Sequence, residues 1–360
     1  MEKREAKRRI VLVPVPAQGH ISPMMQLGKA LNMNGDQLPL LRDNSIKLGP
    51  MEFLIKVNKT SAASFKDCIA RWLLQQGNDI ACIIYDEYMY FCGAATKEFN
   101  LPSVIFSTQS AINYASRCVL SKLNAEKFLV DIEDHEIQEQ MAENLFPLRY
   151  KDLPISGFGP LDRFFEFCRE VANKRTASAA IINTVSCPLH MTASPPSCLV
   201  EEDTGCIEWL YKQKPRSVIY ISMGTVVQME EKEVLEMAWG LCYSNQPFLW
   251  VIRPGSILGF NGIESLPDES LCGWNSILES IAEGVPVIGR PFHGEQKLNA
   301  MYIESVWRIG FQVEGSKVDR GEVERAVKKL MEGVGMHERA LILKEKLKAS
   351  VKSGVPHTTL

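Results

Sequence analysis

The stretch "CGWNSILESIAEGVPVIGRP" (residues 272–291) predicts a turn, a helix and a buried strand in direct succession. Gly273 allows close backbone approach in the turn, and the helix is expected to begin at about Asn275. Gly284 suits the helix C-cap, and Pro286 beyond it cannot continue a helix. In α/β folds, such a turn often brings a helix N-terminus to a phosphate. The stretch therefore predicts an α/β fold with an anion site.

The segment in front of this turn lacks the strand that an α/β fold normally has there. Residues 263–271 read "IESLPDESL", which is polar, acidic and interrupted by a proline, so they make a poor buried strand. The segment "NMNGDQLPLLRDNS" (residues 32–45) offers charges and a proline where a second strand is expected. Both patterns predict that the two sheets of the protein lack strands.

Elsewhere, apolar β-branched runs alternate with helical patterns, which is typical of βα units around parallel sheets. The predicted buried strands are residues 10–15, 79–85, 103–107, 178–184, 217–224, 248–254 and 284–291. A Pro- and Ser-rich linker is expected at residues 186–203. The chain is thus predicted to form an N-terminal domain of residues 1–190 and a C-terminal domain of residues 191–360.

The composition excludes several classes of protein. The chain has 360 residues, of which 46% are hydrophobic and 23% charged, and its net charge of -3 is spread along the chain. We therefore expect no nucleic-acid partner, and no stretch is long enough to span a bilayer. The ten cysteines lack metal-ligand spacing, which favours reduced thiols and a cytoplasmic location. The start "MEKREAKRRIVLVPVPA" resembles a signal peptide, but its short apolar run with two prolines favours a first strand.

One candidate base lies in "PVPAQGHISPMMQLGKAL" (residues 14–31), where a turn after the first strand carries His20. Ser22 is the expected N-cap and Pro23 the expected first helical residue. The expected buried face of this helix comprises Met24, Leu27, Gly28 and Leu31. His20 would then lie at the carboxyl edge of a parallel sheet, beside a helix N-terminus that favours the neutral imidazole. The alternative is a loop histidine that faces solvent.

Asp86 follows another apolar strand, in "CIIYDEYMYF". A carboxylate there would reach a histidine on the neighbouring strand end, select its tautomer and stabilise the imidazolium. Asp86 is equally suited to cap a helix that starts near Tyr88.

The second half contains residues suited to a nucleotide sugar. Thr225 ends a strand with a turn that would meet a phosphate, and Ser276 lies at the predicted helix start. Glu279 is expected in the first turn of that helix, where it would accept hydrogen bonds from ribose hydroxyls. Glu295 and Gln296 follow a strand, where an acid and an amide are suited to sugar hydroxyls. No G-x-G-x-x-G follows any strand, which disfavours a nicotinamide-dependent oxidoreductase.

These residues together resemble the donor-binding signature of the plant UDP-dependent glycosyltransferases of family 1. The resemblance covers most of the chain and includes "PAQGHISPM", "YDEYMYF", "LRYKDLP", "CIEWLYKQKPRSVIYISMGT", "PFLWVIRPGS" and "CGWNSILESIAEGVPVIGRPFHGEQKLNA". It implies two Rossmann-like domains facing across a cleft (GT-B type). The N-terminal domain would bind the acceptor and the C-terminal domain the nucleotide sugar.

The resemblance also implies roles for individual residues. His20 matches the general base that deprotonates the acceptor hydroxyl, and Asp86 matches its charge-stabilising partner. Glu279 matches the ribose-binding position, and Glu295 with Gln296 matches the positions that hold glucose. The implied donor segment comprises Thr225, Leu271, Cys272, Gly273, Trp274, Asn275, Ser276, Glu279, His293, Gly294, Glu295 and Gln296.

The implied reaction is a direct displacement with inversion at the anomeric carbon, with UDP as the leaving group. UDP-glucose would be the co-substrate, with no metal and no other cofactor, because helix amides and a histidine offset the diphosphate charge in this family. The implied acceptor is a small lipophilic hydroxyl compound such as a flavonol. We expect no nucleic acid, no membrane and a monomer.

Departures from the family pattern support an alternative. Leu271 occupies the position of the diphosphate-binding histidine, and the uracil-stacking tryptophan, its Pro-Gln turn and two strands are missing. The linker is shortened as well. The chain is therefore either an active glucosyltransferase or a catalytically inactive, truncated remnant or incomplete gene model of one.

Overall fold

The structure is a computed structural model of a chain that divides into two compact units, Met1–Thr184 and Val185–Leu360. It describes residues 8–31, 50–76, 79–120, 138–142, 147–155, 161–173, 177–184, 205–223, 228–252, 256–258, 274–291, 294–313 and 317–353. The predicted linker and the two segments where strands are expected to be missing, residues 32–45 and 263–271, lie outside these ranges.

Unit 1 alternates strands and helices. Its strands are β1 (Arg9–Val13), β2 (Ile80–Asp86), β3 (Ser103–Ser107) and β4 (Ala179–Ile182). Its helices are α1 (Gln18–Ala30), α2 (Pro50–Gln76), α3 (Phe91–Glu98), α4 (Ala111–Leu120) and α5 (Leu161–Ala172), with a short 3-10 turn at Tyr150–Asp152.

These four strands form one parallel sheet in the order β1-β2-β3-β4. All four match the strands that the sequence predicts. Because the strands are parallel, their carboxyl ends share one edge, and the registers pair Val13 with Tyr85 and Asp86 with Phe106. Residues that follow β1, β2 and β3 are therefore brought to the same edge.

The sheet is covered by the 27-residue helix α2. Ile69 packs with Ile80, Ile83 and Leu101, all of them buried, and Phe65 and Trp72 extend this cluster towards β1. The apolar contact holds the strands together beneath the polar edge. The position of the residues at that edge thus depends on a well-packed core.

The predicted start of α1 is wrong. The helix begins at Gln18, and Ala17 is its extended N-cap, whose carbonyl accepts from the amides of His20 and Ile21, each at 2.9 Å. Ser22 and Pro23 therefore lie inside the helix, because the first turn already closes at Ala17. Of the predicted buried face, Met24 and Leu27 are buried, but Leu31 is exposed because the helix ends at Ala30.

Unit 2 contains shorter strands. They are β5 (Ile219–Ser222), β6 (Met229–Glu230), β7 (Phe248–Val251), β8 (Ile257–Leu258), β9 (Val287–Gly289) and β10 (Gly310–Gln312). Its helices are α6 (Gly205–Tyr211), α7 (Glu231–Ser244), α8 (Trp274–Glu283), α9 (Glu295–Met301), α10 (Arg320–Glu332) and α11 (Val334–Ser353), with a π-helical turn at Tyr302–Val306.

The described strands of unit 2 pair as three parallel ladders of two strands each, β5–β7, β6–β8 and β9–β10. The strands β5, β7 and β9 lie where the sequence predicts them. Side chains on this framework are less buried than in unit 1: Tyr220 on β5 and Val251 on β7 are exposed. Within the described residues, unit 2 thus has short ladders where unit 1 has one sheet.

Two helices of unit 2, α7 and α10, pack closely over β5. Met237 and Leu241 of α7 meet Val327 of α10 in one buried cluster. Gly240 permits the contact, because a Cβ there would lie 2.5 Å from the Cβ of Val323 and 2.6 Å from the carbonyl oxygen of Arg320.

Two negative findings apply to the described part of the chain. Among the helices that the structure describes, none combines the length and the apolar character needed to cross a membrane. Nor do these residues include a group of three or more His, Cys, Asp or Glu side chains arranged to hold a metal ion.

Candidate active site

His20 and Asp86 meet at the carboxyl edge of the unit 1 sheet. The Nδ1 atom of His20 lies 2.7 Å from Oδ2 of Asp86. The Asp86 side chain is fully buried, whereas 13% of the His20 side chain is exposed. A proton on Nδ1 is favoured because the carboxylate accepts it, and Nε2 then carries the lone pair. The pair is thus built to accept a proton from a bound hydroxyl group.

The backbone next to Asp86 orients its carboxylate. The other oxygen, Oδ1, accepts from the amide of Tyr88 at 3.0 Å, and the amide of Met89 donates to the Asp86 carbonyl at 2.8 Å. Asp86 therefore stabilises a local turn as well as binding His20. The cap of α3 is Tyr90, so Asp86 is not the N-cap of that helix.

A third strand end contributes Thr108, which the sequence reasoning missed. Its hydroxyl lies 2.9 Å from Nδ1 of His20. Thr108 follows β3 and is buried, so strand ends from β1, β2 and β3 converge on one imidazole. The signal that was available is its position directly after the predicted strand at residues 103–107.

Aromatic rings form one wall of this site. The ring of Tyr88 lies 5.4 Å from the His20 ring and 5.3 Å from that of Phe167, which belongs to α5. The Tyr88 ring thus packs against the imidazole, and Phe167 packs against Tyr88. This aromatic surface lowers the local polarity on one side of the imidazole, which strengthens its interaction with Asp86.

A buried ion pair lies behind this wall. Nη2 of Arg117 donates to Oε1 of Glu87, and the hydroxyl of Ser107 donates to the same oxygen. Burial alone would lower the pKa of Arg117, but the Glu87 carboxylate outweighs it and raises that pKa, so the guanidinium stays charged.

Two buried thiols near the site are unsuited to nucleophilic chemistry. Burial, with a smaller contribution from Asp86, raises the pKa of Cys92 well above its ordinary value. Burial also raises the pKa of Cys168 to about 12. Both therefore remain protonated at neutral pH, and the thiol is a poor nucleophile compared with the thiolate.

In unit 2, four predicted donor residues lie on α8. The structure describes this segment from Trp274 onwards, and the Trp274 indole is buried against Trp307 with ring centres 6.1 Å apart. Asn275 and Ser276 occupy the first turn, as predicted. Glu279 does not: it is the sixth residue of α8 and lies in the second turn, because a turn contains only about 3.6 residues. Desolvation by the surrounding protein raises the pKa of its carboxyl.

The other predicted donor residues lie at the start of α9. Gly294 is the N-cap with φ 55° and ψ -132°, a conformation that suits glycine, and Glu295 begins the helix with its side chain buried. Gln296 is half-buried beside it. Five predicted donor positions lie outside the described residues: Thr225, Leu271, Cys272, Gly273 and His293.

The end of α8 agrees with the sequence prediction. The C-cap residue Gly284 adopts φ 68°, in the left-handed region that glycine favours. A Cβ there would lie 2.9 Å from Cδ2 of Leu341, so α11 packs directly onto this turn. The turn–helix–strand unit from which the fold was predicted is therefore present from Trp274 to β9.

Solved structures show the class of fold. Os79 from O. sativa, in complex with U2F and trichothecene, superposes with a TM-score of 0.72 at 22% identity and covers 96% of each chain. A UDP-glucosyltransferase from Polygonum tinctorium superposes with a TM-score of 0.70 at 20% identity, covering 96% of this chain and 97% of that one. The fold is the α/β fold of the GT-B glycosyltransferases.

Sequence comparisons identify the family. The profile described as "UDP-glucoronosyl and UDP-glucosyl transferase" matches residues 270–348. UDP-glycosyltransferase 76E6 of Arabidopsis thaliana is 60% identical over 98% of this chain and 97% of its own length. Flavonol 3-O-glucosyltransferase UGT76E12 of the same plant is 46% identical over 98% of this chain and 95% of its own length. The chain belongs to the family 1 plant UDP-glycosyltransferases.

The length of the alignment with UDP-glycosyltransferase 76E6 shows how many positions of that relative this chain lacks. The alignment is 436 positions long, whereas this chain has 360 residues, so at least 76 of those positions (436 less 360) have no counterpart here. Because the alignment covers nearly all of both chains, these positions are internal. Internal segments of this relative are therefore missing from this chain, as the interrupted strand pattern predicts.

Proposed function

We propose that the protein transfers glucose from UDP-glucose, with inversion, to a hydroxyl group of a small lipophilic acceptor such as a flavonol. In this reaction Nε2 of His20 takes the proton of the acceptor hydroxyl while its oxygen attacks the anomeric carbon. Asp86 stabilises the imidazolium that forms, and UDP leaves. A flavonol is the proposed acceptor because the relative UGT76E12 is named as a flavonol 3-O-glucosyltransferase.

Each unit has its own proposed role. Unit 1 binds the acceptor and supplies the base. Unit 2 binds the donor, with Asn275 and Ser276 at the diphosphate, Glu279 at the ribose and Glu295 with Gln296 at the sugar. A metal ion is not needed in this scheme, because helix amides offset the charge of the diphosphate.

The observation that carries the proposal is the 2.7 Å contact between His20 and a fully buried Asp86. A histidine used for packing alone has no need of a buried carboxylate, whose desolvation costs free energy unless it is compensated. The compensation here comes from His20 and from the Tyr88 amide. A base that becomes cationic during the reaction gains most from such a partner.

The test begins with the donor site. The purified chain is checked for cooperative unfolding by circular dichroism and then titrated with UDP in a calorimeter. Glu279→Gln serves as the site variant, and we expect its Kd for UDP to rise by about tenfold or more, since a hydrogen bond to a charged group contributes about 1.5–3 kcal/mol. Its thermal stability should not fall, because desolvation disfavours the ionised Glu279 carboxyl. An unchanged Kd would remove Glu279 from the donor site.

Transfer is then measured with UDP-glucose and a panel of flavonols, with product detection by mass spectrometry. A glucoside made by the wild type and lost in His20→Gln supports the proposal. UDP binding with no product from any hydroxylated acceptor would contradict the catalytic role of His20 in this chain.

The alternative, an inactive remnant, rests on a specific observation as well. At least 76 aligned positions are missing, and by the family resemblance Leu271 occupies the position of the diphosphate-binding histidine. Losing a charged hydrogen bond and a base-stacking contact would weaken donor binding by about 3–6 kcal/mol, or roughly two to four decades in affinity. A cooperatively folded chain that does not bind millimolar UDP would favour the remnant.

A further inference from the structure

Two adjacent carboxylates end β2 and point to different partners. Asp86 contacts His20, whereas Glu87, which is only 2% exposed, binds Arg117 and Ser107. Both carboxylates are removed from water, so each acts on its surroundings with little screening. If neither carboxylate had a cationic partner, the negative charges of Asp86 and Glu87 would both stabilise the imidazolium form of His20.

Arg117 of the pair and the base His20 both contact the ring of Tyr88. The guanidinium carbon of Arg117 lies 5.3 Å from the centre of the Tyr88 ring, and that ring lies 5.4 Å from the His20 ring. Arg117 is 4% exposed and Glu87 is 2% exposed, so both charges of the pair are removed from water. The charges of the pair therefore act on His20 through a medium of low polarity.

We propose that Arg117 keeps the basicity of His20 at the level that Asp86 alone supports: Arg117 neutralises the adjacent Glu87 carboxylate, so that one carboxylate, and not two, stabilises the imidazolium. Glu87 and Arg117 are positioning residues in this scheme, since they act through Tyr88 and not on the substrate. The functional meaning rests on His20 being the base of the proposed reaction. The electrostatic effect itself is independent of turnover.

The energetics of the pair support a role beyond stability. Within the described residues, Oε2 of Glu87 and Nε of Arg117 have no hydrogen-bond partner although both atoms are buried. A buried ion pair that is only partly satisfied is often no more stable than an apolar replacement of similar volume. Stability alone therefore does not account for this pair.

The other titratable groups around His20 are accounted for. Asp86 and Glu87 come from the end of β2, and the phenol of Tyr88 follows them. The thiols from α3 and α5 that face Asp86 and Arg117, those of Cys92 and Cys168, stay neutral because burial raises the pKa of each. Among the described residues, the charged group in contact with the His20 ring is Asp86, and the adjacent residue Glu87 pairs with Arg117.

The experiment is an NMR titration of the histidine rings in the full chain, with His20→Gln used to assign the His20 signal among the six histidines. The principal variant is Glu87→Gln, which keeps the shape of the side chain and leaves the Arg117 cation uncompensated. We expect the titration midpoint of His20 to fall by about one pH unit, as for a unit charge about 10 Å away at an effective dielectric constant of about 20.

Two further variants separate charge from packing. Arg117→Lys keeps the cation and should leave the His20 midpoint near that of the wild type. The double variant Glu87→Gln/Arg117→Met removes both charges and should return the His20 midpoint to the wild-type value. A shift caused by altered packing would instead persist or grow in the double variant. A Glu87→Gln midpoint equal to the wild-type value, or a double variant that stays shifted like Glu87→Gln, would overturn the proposal.

Turnover provides a separate readout. If the chain is active, the acidic limb of kcat/KM should move with the His20 midpoint in the same variants. If the NMR midpoints shift as expected in a chain that makes no glucoside, the proposed function fails while the electrostatic role of the pair stands. If the midpoints do not shift in an active enzyme, the electrostatic role fails and the proposed function stands.

Discussion

At the residue scale, the chemistry of the site depends on where one buried charge is placed. The Asp86 carboxylate has two partners close to it: the imidazole of His20 at Oδ2 and the amide of Tyr88 at Oδ1. Because the carboxylate is fully buried, its attraction for an imidazolium is stronger than at the surface. The same burial makes the carboxylate costly to leave without a partner.

A change at Asp86 should therefore affect rate more than folding. We expect Asp86→Asn to lower kcat by about 10²–10⁴-fold, because the amide no longer stabilises the imidazolium and can hold the wrong tautomer. The measurement is the steady-state rate of glucoside formation, with circular dichroism to verify the fold.

Asp79→Asn is the matched control. Asp79 lies just before the other end of β2, in an ion pair with Arg9 at 3.1 Å, and has no role in the proposed site. Its rate should stay within a few fold of the wild type. Equal rates for Asp86→Asn and the wild type would exclude Asp86 from catalysis.

At the element scale, the contact between α7 and α10 combines an apolar core with a directed ion pair. Arg320 donates to Glu236 from Nε at 2.9 Å, from Nη2 and from its backbone amide at 3.0 Å. These hydrogen bonds, from the side chain first and the backbone second, lower the pKa of Glu236 from its ordinary value of 4.5 to about 2. The first turn of α10 is thereby fixed to α7.

This shift predicts a pH dependence of stability. A carboxyl whose pKa is lower in the folded state stabilises the fold above its unfolded pKa, and this contribution is lost as the pH falls. We expect Glu236→Gln to be less stable than the wild type above about pH 5, and the difference to shrink as the pH falls from 4.5 to about 2. The measurement is the urea unfolding midpoint of both proteins across this range of pH.

Glu345→Gln is the control for this series. Glu345 forms an exposed pair with Lys348 on α11, and exposed pairs contribute little to stability. A pH-independent difference between Glu236→Gln and the wild type would show that the pair with Arg320 does not couple to the titration of Glu236.

The close approach of α7 and α10 at Gly240 leads us to a second prediction, about the stability of a variant at that residue. Gly240→Ala places a methyl group against the β-branched Val323 and a backbone carbonyl, neither of which can move aside easily. We expect the free energy of unfolding, measured in urea, to fall by about 1–3 kcal/mol.

Gly335→Ala in α11 is the matched comparison, because its new Cβ would meet the flexible end of Arg339 at 3.1 Å. It should be neutral or slightly stabilising, since alanine favours a helix over glycine by up to about 1 kcal/mol. A Gly240→Ala protein as stable as this control would mean that the two helices can separate without cost.

At the scale of the whole molecule, the two units differ in how far the side chains on their described strands are buried. In unit 1, Ile83, Ile84, Ile105 and Phe106 on the central strands are at most 4% exposed. In unit 2, Tyr220 is 66% exposed and Val251 is 47% exposed on a ladder of two strands. A two-stranded ladder with exposed side chains has little independent stability.

We therefore expect the units to open separately. Amides of β5 and β7 should exchange with solvent faster than those of β2 and β3, as measured by hydrogen exchange with mass spectrometry under native conditions. Equal protection of both sets would show that unit 2 is as cooperative as unit 1.

The sequence predicted several features for local reasons. Strands at residues 103–107 and 248–254 are visible as short β-branched or aromatic runs, and Gly284 marks a helix end because few other residues adopt its φ angle. The start of α1 was mispredicted because Ser22 and Pro23 are the better cap residues, while the backbone closes the first turn at Ala17 without a side-chain cap. Such a backbone-only start leaves no compositional signal.

By itself, the sequence determined the strands of unit 1, the family and the identity of a histidine and an aspartate that follow neighbouring strands. Only the tertiary structure decided that Thr108 contacts His20 across 88 residues and that Arg117 neutralises Glu87 across 30. Strands and caps follow from the conformational preferences of nearby residues. Contacts between distant residues depend on how the helices and strands pack, and no local preference encodes that packing.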